Sequence, residues 1–469
     1  MWIEIDRESE LTLTRQVYGQ IRQMILSGKL AAGEKLPSTR GASSALSVSR
    51  NVVVEAYDQL IAEGYLESRR GSGTVVAQGL HAPDIGISPS HGSKQYREAG
   101  RTARDIVDFR TGMPALEYFP RAEWGKLYRD VLSGAPASDF AYGEAAGVWE
   151  LRGAVAQYLY RARGVSCDPE RIVVTSGSTQ ALSLVSRLLR DEGKVALAED
   201  PSHAGLRKVM TLAGCRVEGV PADDSGLCTE LLPPRRGVSF VCVTPSHQYP
   251  LGGVLPIRRR LELVRYAEQN DCYVVEDDYD SEFRYEGQPV GTLCELNPQR
   301  VIYLGSFSKI LAPALRLGFM ILPQKLLASC VRMKLYSDVH SDSLGQRVLA
   351  RFIQTGGFEK HVWRMKKRYA AKRGHLLNEL SRLCAGRFDV LGHATGLHLV
   401  VRFPERRLTK ETVDEIAALG VRVYRAGSFY LEKESARDDD IVLGYSHLSL
   451  DEITCGIEAI CSVVSKLGT

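Results

Sequence analysis

The stretch Tyr303-Leu304-Gly305-Ser306-Phe307-Ser308-Lys309-Ile310-Leu311-Ala312-Pro313-Ala314-Leu315-Arg316 decides how this chain is read. The apolar run 301–304 predicts a buried strand. Small residues end that run, a single lysine follows, and Arg316 stands seven residues further on. A lone lysine is ordinarily a solvated surface charge. The neighbours of Lys309 argue otherwise. Upstream lies Val274-Val275-Glu276-Asp277-Asp278-Tyr279-Asp280. Acids closing an apolar strand suit a metal site. They equally suit pyridoxal phosphate (PLP), whose pyridine nitrogen needs an acid that keeps the ring protonated and whose ring oxygen gains from a nearby phenol. Asp277 and Tyr279 provide that pair, Lys309 an amine for a Schiff base, and Arg316 a clamp for the phosphate. The combination Asp-x-Tyr with Ser-x-Ser-Lys-x6-Arg is far more specific than any member, and this reading takes no metal.

Outward from that stretch the pattern is α/β. Residues 171–175 predict a strand, Ser176-Gly177-Ser178-Thr179-Gln180 a small-residue loop, and 181–189 an apolar helix. Strand, Gly/Ser loop and helix make a phosphate cradle, because backbone N–H groups and the helix dipole face the anion. Further strands are predicted near 195–198, 238–243 and 272–276, which implies a mostly parallel sheet covered by helices. The run 244–252, Thr-Pro-Ser-His-Gln-Tyr-Pro-Leu-Gly, closes one strand at the expected ligand edge. From about 330 helices come first, including the basic 360–372, and short strands follow near 396–401, 421–424 and 441–444. That pattern predicts a smaller C-terminal α+β subdomain. The effector-type domain is placed at 106–469, with a large part over 106–329 and a small part over 330–469.

Residues 1–77 predict a separate domain. Helices are expected over 13–27, 39–46 and 50–63, with Ser38 as an N-cap and a tight turn at 47–49. Val53, Ala56, Tyr57, Leu60 and Ile61 follow helical spacing. Two short strands, 65–68 and 73–76, flank an arginine-rich tip. This order is a winged helix-turn-helix. Its recognition helix offers Ser49, Arg50 and Asn51 to base edges, and its wing offers Arg69 and Arg70 to phosphates or a minor groove. Residues 1–80 carry nine basic and nine acidic side chains, so DNA binding requires the arginines to be focused on one face. Residues 78–105 read as a flexible linker.

The whole chain has 469 residues and a net charge of +4, too small to mark a partner. No apolar stretch reaches membrane-spanning length and no signal peptide is read. The ten cysteines form no Cys-x-x-Cys pair, and Cys242 and Cys272 sit in apolar runs. They are read as reduced core residues of a cytoplasmic protein.

The runs Leu-Pro-Ser-Thr-Arg, Val-Ser-Arg-Asn, Leu-Ile-Ala-Glu-Gly-Tyr-Leu and Gly-Ser-Gly-Thr-Val-Val resemble the GntR-type DNA-binding domain. Residues 107–465 resemble the fold-type I, aspartate-aminotransferase-like PLP domain. Joined, the two resemble a MocR/GabR-type transcriptional regulator. That resemblance implies DNA contacts from Ser38, Thr39 and Arg40 and from Ser72 as well, on a double-stranded operator with repeated half-sites bound by a homodimer. It implies that Lys309 carries PLP, with Asp277 on the pyridine nitrogen and Tyr279 on the ring oxygen. Gly177, Ser178, Thr179, Ser306 and Arg316 would hold the phosphate, His203 would stack on the ring, and Tyr142 would reach the partner subunit's phosphate. Three positions depart from the pattern. Tyr249 stands where an asparagine usually precedes Pro-x-Gly. His447, in Gly444-Tyr445-Ser446-His447-Leu448, stands where a carboxylate-gripping arginine is expected, and Gly205 aligns with a second such arginine. These departures argue against GABA and against ordinary transamination, and they make His447 the candidate effector contact. The function implied is PLP-dependent regulation, in which PLP on Lys309 senses an amine or amino acid or is itself the signal. The alternative is a working aminotransferase, with weak or half-transamination as an intermediate case.

Overall fold

The computed structural model describes residues 3–69, 73–79, 106–234, 237–288, 290–384, 388–404, 406–432 and 436–467. The chain divides into two compact units, Met1–Arg101 and Thr102–Thr469. The linker expected over 78–105 lies outside the described residues from 80 to 105. Arg70, Ser72 and the Arg69 side chain also lie outside them.

The first unit contains α1 (Leu13–Leu26), α2 (Thr39–Leu46), α3 (Arg50–Ala62), β1 (Leu66–Arg69) and β2 (Gly73–Val76). Each helix starts on a hydroxyl that accepts a backbone N–H left unpaired in the first turn: Thr12 from Arg15, Ser38 from Gly41 and Ser49 from Val52. Ser47, left-handed at φ 52°, ends α2 and makes the tight turn into α3. Val53, Ala56, Tyr57 and Leu60 on α3 pack against Val17, Ile21, Leu36 and Val76. Each fully buried Val or Leu contributes about 1.5–3 kcal/mol. The Tyr57 hydroxyl donates to Pro37 O at 3.1 Å, which seats α3 on the approach to α2. β1 and β2 form an antiparallel ribbon, Leu66 opposite Val76 and Arg69 opposite Gly73. Lys35 bridges Val75 on its other edge. Arg40, Arg50 and Asn51 are exposed, and among the described residues neither arginine has an ion-pair partner. Ser49 shares the expected reading face, but its Oγ is engaged as the cap, 3.4 Å from Val52 N. Ser49→Ala should therefore destabilise this unit by about 1 kcal/mol. Urea unfolding of the protein followed by helical circular dichroism would measure it, and an unchanged midpoint would show that the cap carries no stability.

The second unit is built on an eight-stranded sheet. In spatial order its strands are Ile172–Thr175, Gly318–Ile321, Val301–Ser306, Tyr273–Asp278, Val238–Val243, Val195–Asp200, Arg216–Asp223 and Gly226–Leu227. The pairings from Val301–Ser306 through to Arg216–Asp223 are parallel. Gly318–Ile321 runs antiparallel between its two neighbours, and Gly226–Leu227 is an antiparallel edge. The strands Val301–Ser306, Val238–Val243 and Val195–Asp200 are buried along their whole length because helices cover both faces of the sheet, and separate apolar clusters fill the two sides. A four-stranded antiparallel sheet, Asp389–Leu391, His398–Arg402, Asp440–Gly444 and Tyr424–Arg425, forms the C-terminal part with the 27-residue helix Gly357–Leu383.

Three sequence expectations change. The helix after the Gly/Ser loop begins at Ser178, not 181, so Ser178 and Thr179 lie in its first turn. The strands Gly318–Ile321, Arg216–Asp223 and Gly226–Leu227 were not anticipated. The cysteines are not all reduced: Cys384 and Cys461 are joined in a disulfide with their Cα atoms 5.0 Å apart. The long helix ends beside Leu450–Val464 and brings together two residues 77 positions apart, which no local spacing signals.

Candidate cofactor site

The parallel strands end together at one edge of the large sheet, and the predicted residues meet there. The strand Val301–Ser306 is buried throughout and delivers Lys309 through a short turn. The Lys309 Nζ donates to Gly112 O at 2.7 Å. Burial pulls the ammonium pKa below its ordinary value, while the charges of Asp280 and Asp277 oppose that pull. Gly112 is left-handed at φ 71°, a backbone conformation that favours glycine, and an added Cβ would lie 2.7 Å from Nζ.

The neighbouring strand Tyr273–Asp278 sorts its acids by the β pleat. Glu276 and Asp278 point to one face and Asp277 to the other. Glu276 accepts from Leu293 N and Cys294 N. Asp278 Oδ2 accepts from Arg163 Nη1 and from the Tyr303 hydroxyl, each at 2.7 Å. Burial pushes the Asp278 carboxyl up, but Arg163, Ser281 and Tyr303 outweigh it and hold it below its ordinary value. Asp277 faces the cavity, and its Oδ1 is buried without a hydrogen-bond partner. Burial, with the charge of Asp278, raises this carboxyl to about 7. The consecutive acids therefore do not converge as a metal site would require.

The phosphate cradle is anchored from behind. Gly177, left-handed at φ 98°, is the N-cap of the helix Ser178–Leu189 and provides no side-chain cap, which leaves first-turn N–H groups for an anion. A Cβ on Gly177 would sit 2.8 Å from Arg316 Nη2. That guanidinium is exposed and donates to Ser176 O at 2.5 Å. Ser176 N donates to Gln180 Oε1, Gln180 Nε2 to Asp338 Oδ2, and the fully buried Lys334 Nζ to both Asp338 oxygens. Ser306 is buried, and its Oγ accepts from Ser308 N.

A cavity of about 340 Å³ is lined by Lys309, Asp277, Tyr279, Ser178, Thr179 and His203. Sequence reading missed Thr111, Gly112, Glu199 and His398 among the lining residues, while Thr244 opens the run expected at the ligand edge. Asp280 is a further lining residue that had been quoted without a role. The Tyr279 hydroxyl donates to His247 O at 2.9 Å and lies 3.1 Å from His247 Nδ1, which also contacts both Asp280 oxygens. Glu199 accepts from Thr244 N and Oγ1, and burial raises it to about 7. Tyr249 OH and Thr111 Oγ1 are 2.8 Å apart. His203 Nδ1 accepts from Gly205 N, and its ring meets Tyr249 edge-on at 5.3 Å. The runs 244–252 and 274–280 already contained His247 and Asp280, but only the folded chain shows them in contact.

Gly177, Ser306 and Arg316 are not among the lining residues, and two further predicted residues stand elsewhere. Tyr142 is 87% exposed and its ring lies 6.2 Å from that of His340. His447 is not among the cavity-lining residues. Its Nε2 hydrogen-bonds to Asp108 O at 2.9 Å, because the segment after Asp440–Gly444 packs against the start of the domain. His247, Asp280 and His398 could each direct one ligand atom to a common point. His247 Nδ1 is engaged with Asp280 and His398 Nε2 with Pro250 O, while His247 Nε2 is buried without a hydrogen-bond partner.

The residues present fit PLP. The unpartnered Asp277 Oδ1 matches a pyridinium N–H, the helix start with Arg316 matches a phosphate, and Lys309 matches the carbonyl carbon.

Comparison with known proteins agrees. Residues 13–76 match the family described as bacterial regulatory proteins, gntR family, and residues 105–438 match aminotransferase class I and II. The chain is 34% identical to the probable rhizopine catabolism regulatory protein MocR of Rhizobium meliloti, over 99% of this chain and 96% of that one. It is 31% identical to the HTH-type pyridoxine biosynthesis transcriptional regulator PdxR of Corynebacterium glutamicum, over 99% and 98%. Among solved structures, a Pyrococcus horikoshii kynurenine aminotransferase in complex with PMP is 27% identical, with a TM-score of 0.72 over 78% of this chain and 92% of that one.

Proposed function

Because this chain belongs to the MocR-type transcriptional regulators, a GntR-family winged helix joined to an aminotransferase-like PLP domain, we propose that it reports the occupancy of its PLP site to DNA. The observation that carries this reading is the convergence of Lys309, the unpartnered Asp277 Oδ1 and the helix start at Ser178 on one cavity. Bound PLP supplies a carbonyl carbon that is electrophilic toward primary amines. Lys309 Nζ is the protein amine held against it. Asp277 accepts the pyridine N–H, a charge-assisted bond worth roughly 1.5–3 kcal/mol. Tyr279 orients the ring oxygen. Gly177, Ser178, Thr179, Ser306 and Arg316 hold the phosphate, and His203 covers one ring face. Tyr142 serves the partner subunit's phosphate in a homodimer, a role that its exposure supports. The effector is an amine or amino acid, or PLP itself, and the protein acts in the cytoplasm. No described helix is long and apolar enough to cross a membrane. Effector occupancy and DNA affinity are then linked by one free energy, and the coupling is reciprocal.

Selecting genomic fragments that bind the purified protein, then titrating the best of them with PLP and amines present or absent, tests this reading. DNA affinity that responds without multiple turnover is expected. Sustained keto-acid production from an amino acid would favour the aminotransferase instead. Arg50→Ala should cost about 1–3 kcal/mol on the selected site and flatten discrimination at the base it contacts. Unchanged specific binding in that variant would mean that α3 is not the reading helix.

A further inference from the structure

The cavity around Lys309 has a charge distribution that bears on what it admits beyond the cofactor. Resting on the reading of this cavity as the PLP site, we propose that its effector is a primary amine without a carboxylate, bearing a hydroxyl that the Thr111–Tyr249 pair meets. A carboxylate taken out of water needs a cation or converging donors. Among the described lining residues the ionisable acids are Glu199, Asp277 and Asp280, and the only lysine or arginine is Lys309. Lys309 is the residue that an incoming amine displaces. The new carbon–nitrogen bond forms as the bond to Lys309 Nζ breaks, the lysine leaves as the free amine, and no electron is transferred.

The wall imidazoles do not replace the missing cation. His203 Nδ1 accepts from Gly205 N, so that nitrogen is unprotonated and the ring is neutral. His398 is buried, its Nε2 donates to Pro250 O, and burial holds its pKa well below the ordinary range. Nearby guanidiniums have partners. Arg207 Nη1 donates to Ser202 O and Phe429 O at 3.1 and 2.6 Å, and Arg316 faces the phosphate cradle. His447 is held by Asp108 O away from the wall. The wall instead offers apolar Leu182, Leu206 and Val209 and several hydroxyls. Of these, Tyr279 donates to His247 O, Thr244 to Glu199, Ser202 accepts from Arg207, and Ser178 and Thr179 belong to the phosphate cradle, which leaves the paired Thr111 Oγ1 and Tyr249 OH. Either hydroxyl can donate, and the pair retains acceptor capacity for a third hydroxyl. Burial raises the Tyr249 phenol to about 12, so it remains neutral.

The test is an absorbance titration of the full-length, PLP-loaded protein with matched pairs: ethanolamine against L- and D-serine, and 3-methylbutylamine against L-leucine. Each amine should reach half its spectral shift at a concentration at least about tenfold below that of its amino acid. Thr111→Val and Tyr249→Phe should each raise the ethanolamine midpoint about fivefold, the effect of one hydrogen bond, and leave that of 3-methylbutylamine unchanged. Amino acids acting at equal or lower concentration would overturn the proposal and point to a cation from a second copy of the chain. A band that neither class shifts would also overturn it, leaving the PLP site intact with PLP itself as the signal. Absence of a Lys309-dependent band would instead defeat the underlying PLP reading.

Discussion

Lys309→Ala is expected to abolish the near-visible absorbance of the PLP-loaded protein and to eliminate its spectral response to every amine. The reason is positional. No other lysine or arginine lines the described wall of the cavity, so no neighbouring amine can take over. The lysine Nζ sits against Gly112 O, and burial keeps a larger share of it as the free amine than at a solvated lysine. Its removal also leaves Glu199, Asp277 and Asp280 without the one cation among them. Retention of PLP through gel filtration should fall by at least about 100-fold, near 2.7 kcal/mol. The phosphate cradle is untouched in this variant, so residual binding should remain sensitive to competing inorganic phosphate. A variant that kept its absorbance band would show that another group carries the cofactor.

Arg163→Met should destabilise the aminotransferase-like unit by about 3–5 kcal/mol, the range for removing one partner of a buried ion pair. The Arg163 and Asp278 side chains are only 6% and 2% exposed. Arg163 also donates to Ser246 Oγ, Ser281 Oγ and Val290 O, so one guanidinium joins a helix end to the strand that carries Asp277 and to the loop that carries His247. Methionine fills the volume but leaves the Asp278 carboxylate buried with the Ser281 and Tyr303 hydroxyls as its remaining support. In the parent, Asp278 lies below its ordinary pKa. Its contribution is therefore fully present above about pH 4 and is lost as the pH falls through the lower folded value. In the variant, burial without Arg163 raises that carboxyl, so protonation on acidification relieves the penalty. The gap between parent and variant should narrow from pH 7 toward pH 4. Adding Asp278→Asn to Arg163→Met should recover part of the loss at pH 7, since a neutral amide needs no counter-charge. Urea midpoints across that pH range decide the matter. A loss below 1 kcal/mol, or one independent of pH, would mean that the pair is not what holds this corner together.

Periodicity and short motifs carried much of the architecture. The helices of the winged unit follow from apolar spacing and hydroxyl caps, signals contained within one or two turns of chain. The central strands follow from continuous apolar runs, which a sheet covered on both faces requires. Gly318–Ile321 was not legible because a short antiparallel insertion among parallel strands is defined by its neighbours, not by its own composition. Arg216–Asp223 was missed because, near the sheet's edge, only Val220 is buried and no continuous apolar run marks it.

The same division runs through the stretch around Lys309. Which residue types are present, and their order along the chain, were legible: a lysine after a buried strand, Asp-x-Tyr after another, and a Gly/Ser turn before a helix. Chemistry that depends on identity and short spacing is written locally. Which face each side chain takes, and what it meets across the cavity, depends on strand pleat and on contacts between distant segments. The pleat turned Asp277 into the cavity and Asp278 onto Arg163. Packing of the segment after Asp440–Gly444 against Asp108 took His447 off the wall where the family resemblance had placed it. The absence of an arginine from the described lining of that wall, and the pairing of Thr111 with Tyr249 across 138 residues, exist only once the chain is folded, because they are properties of a surface assembled from many segments.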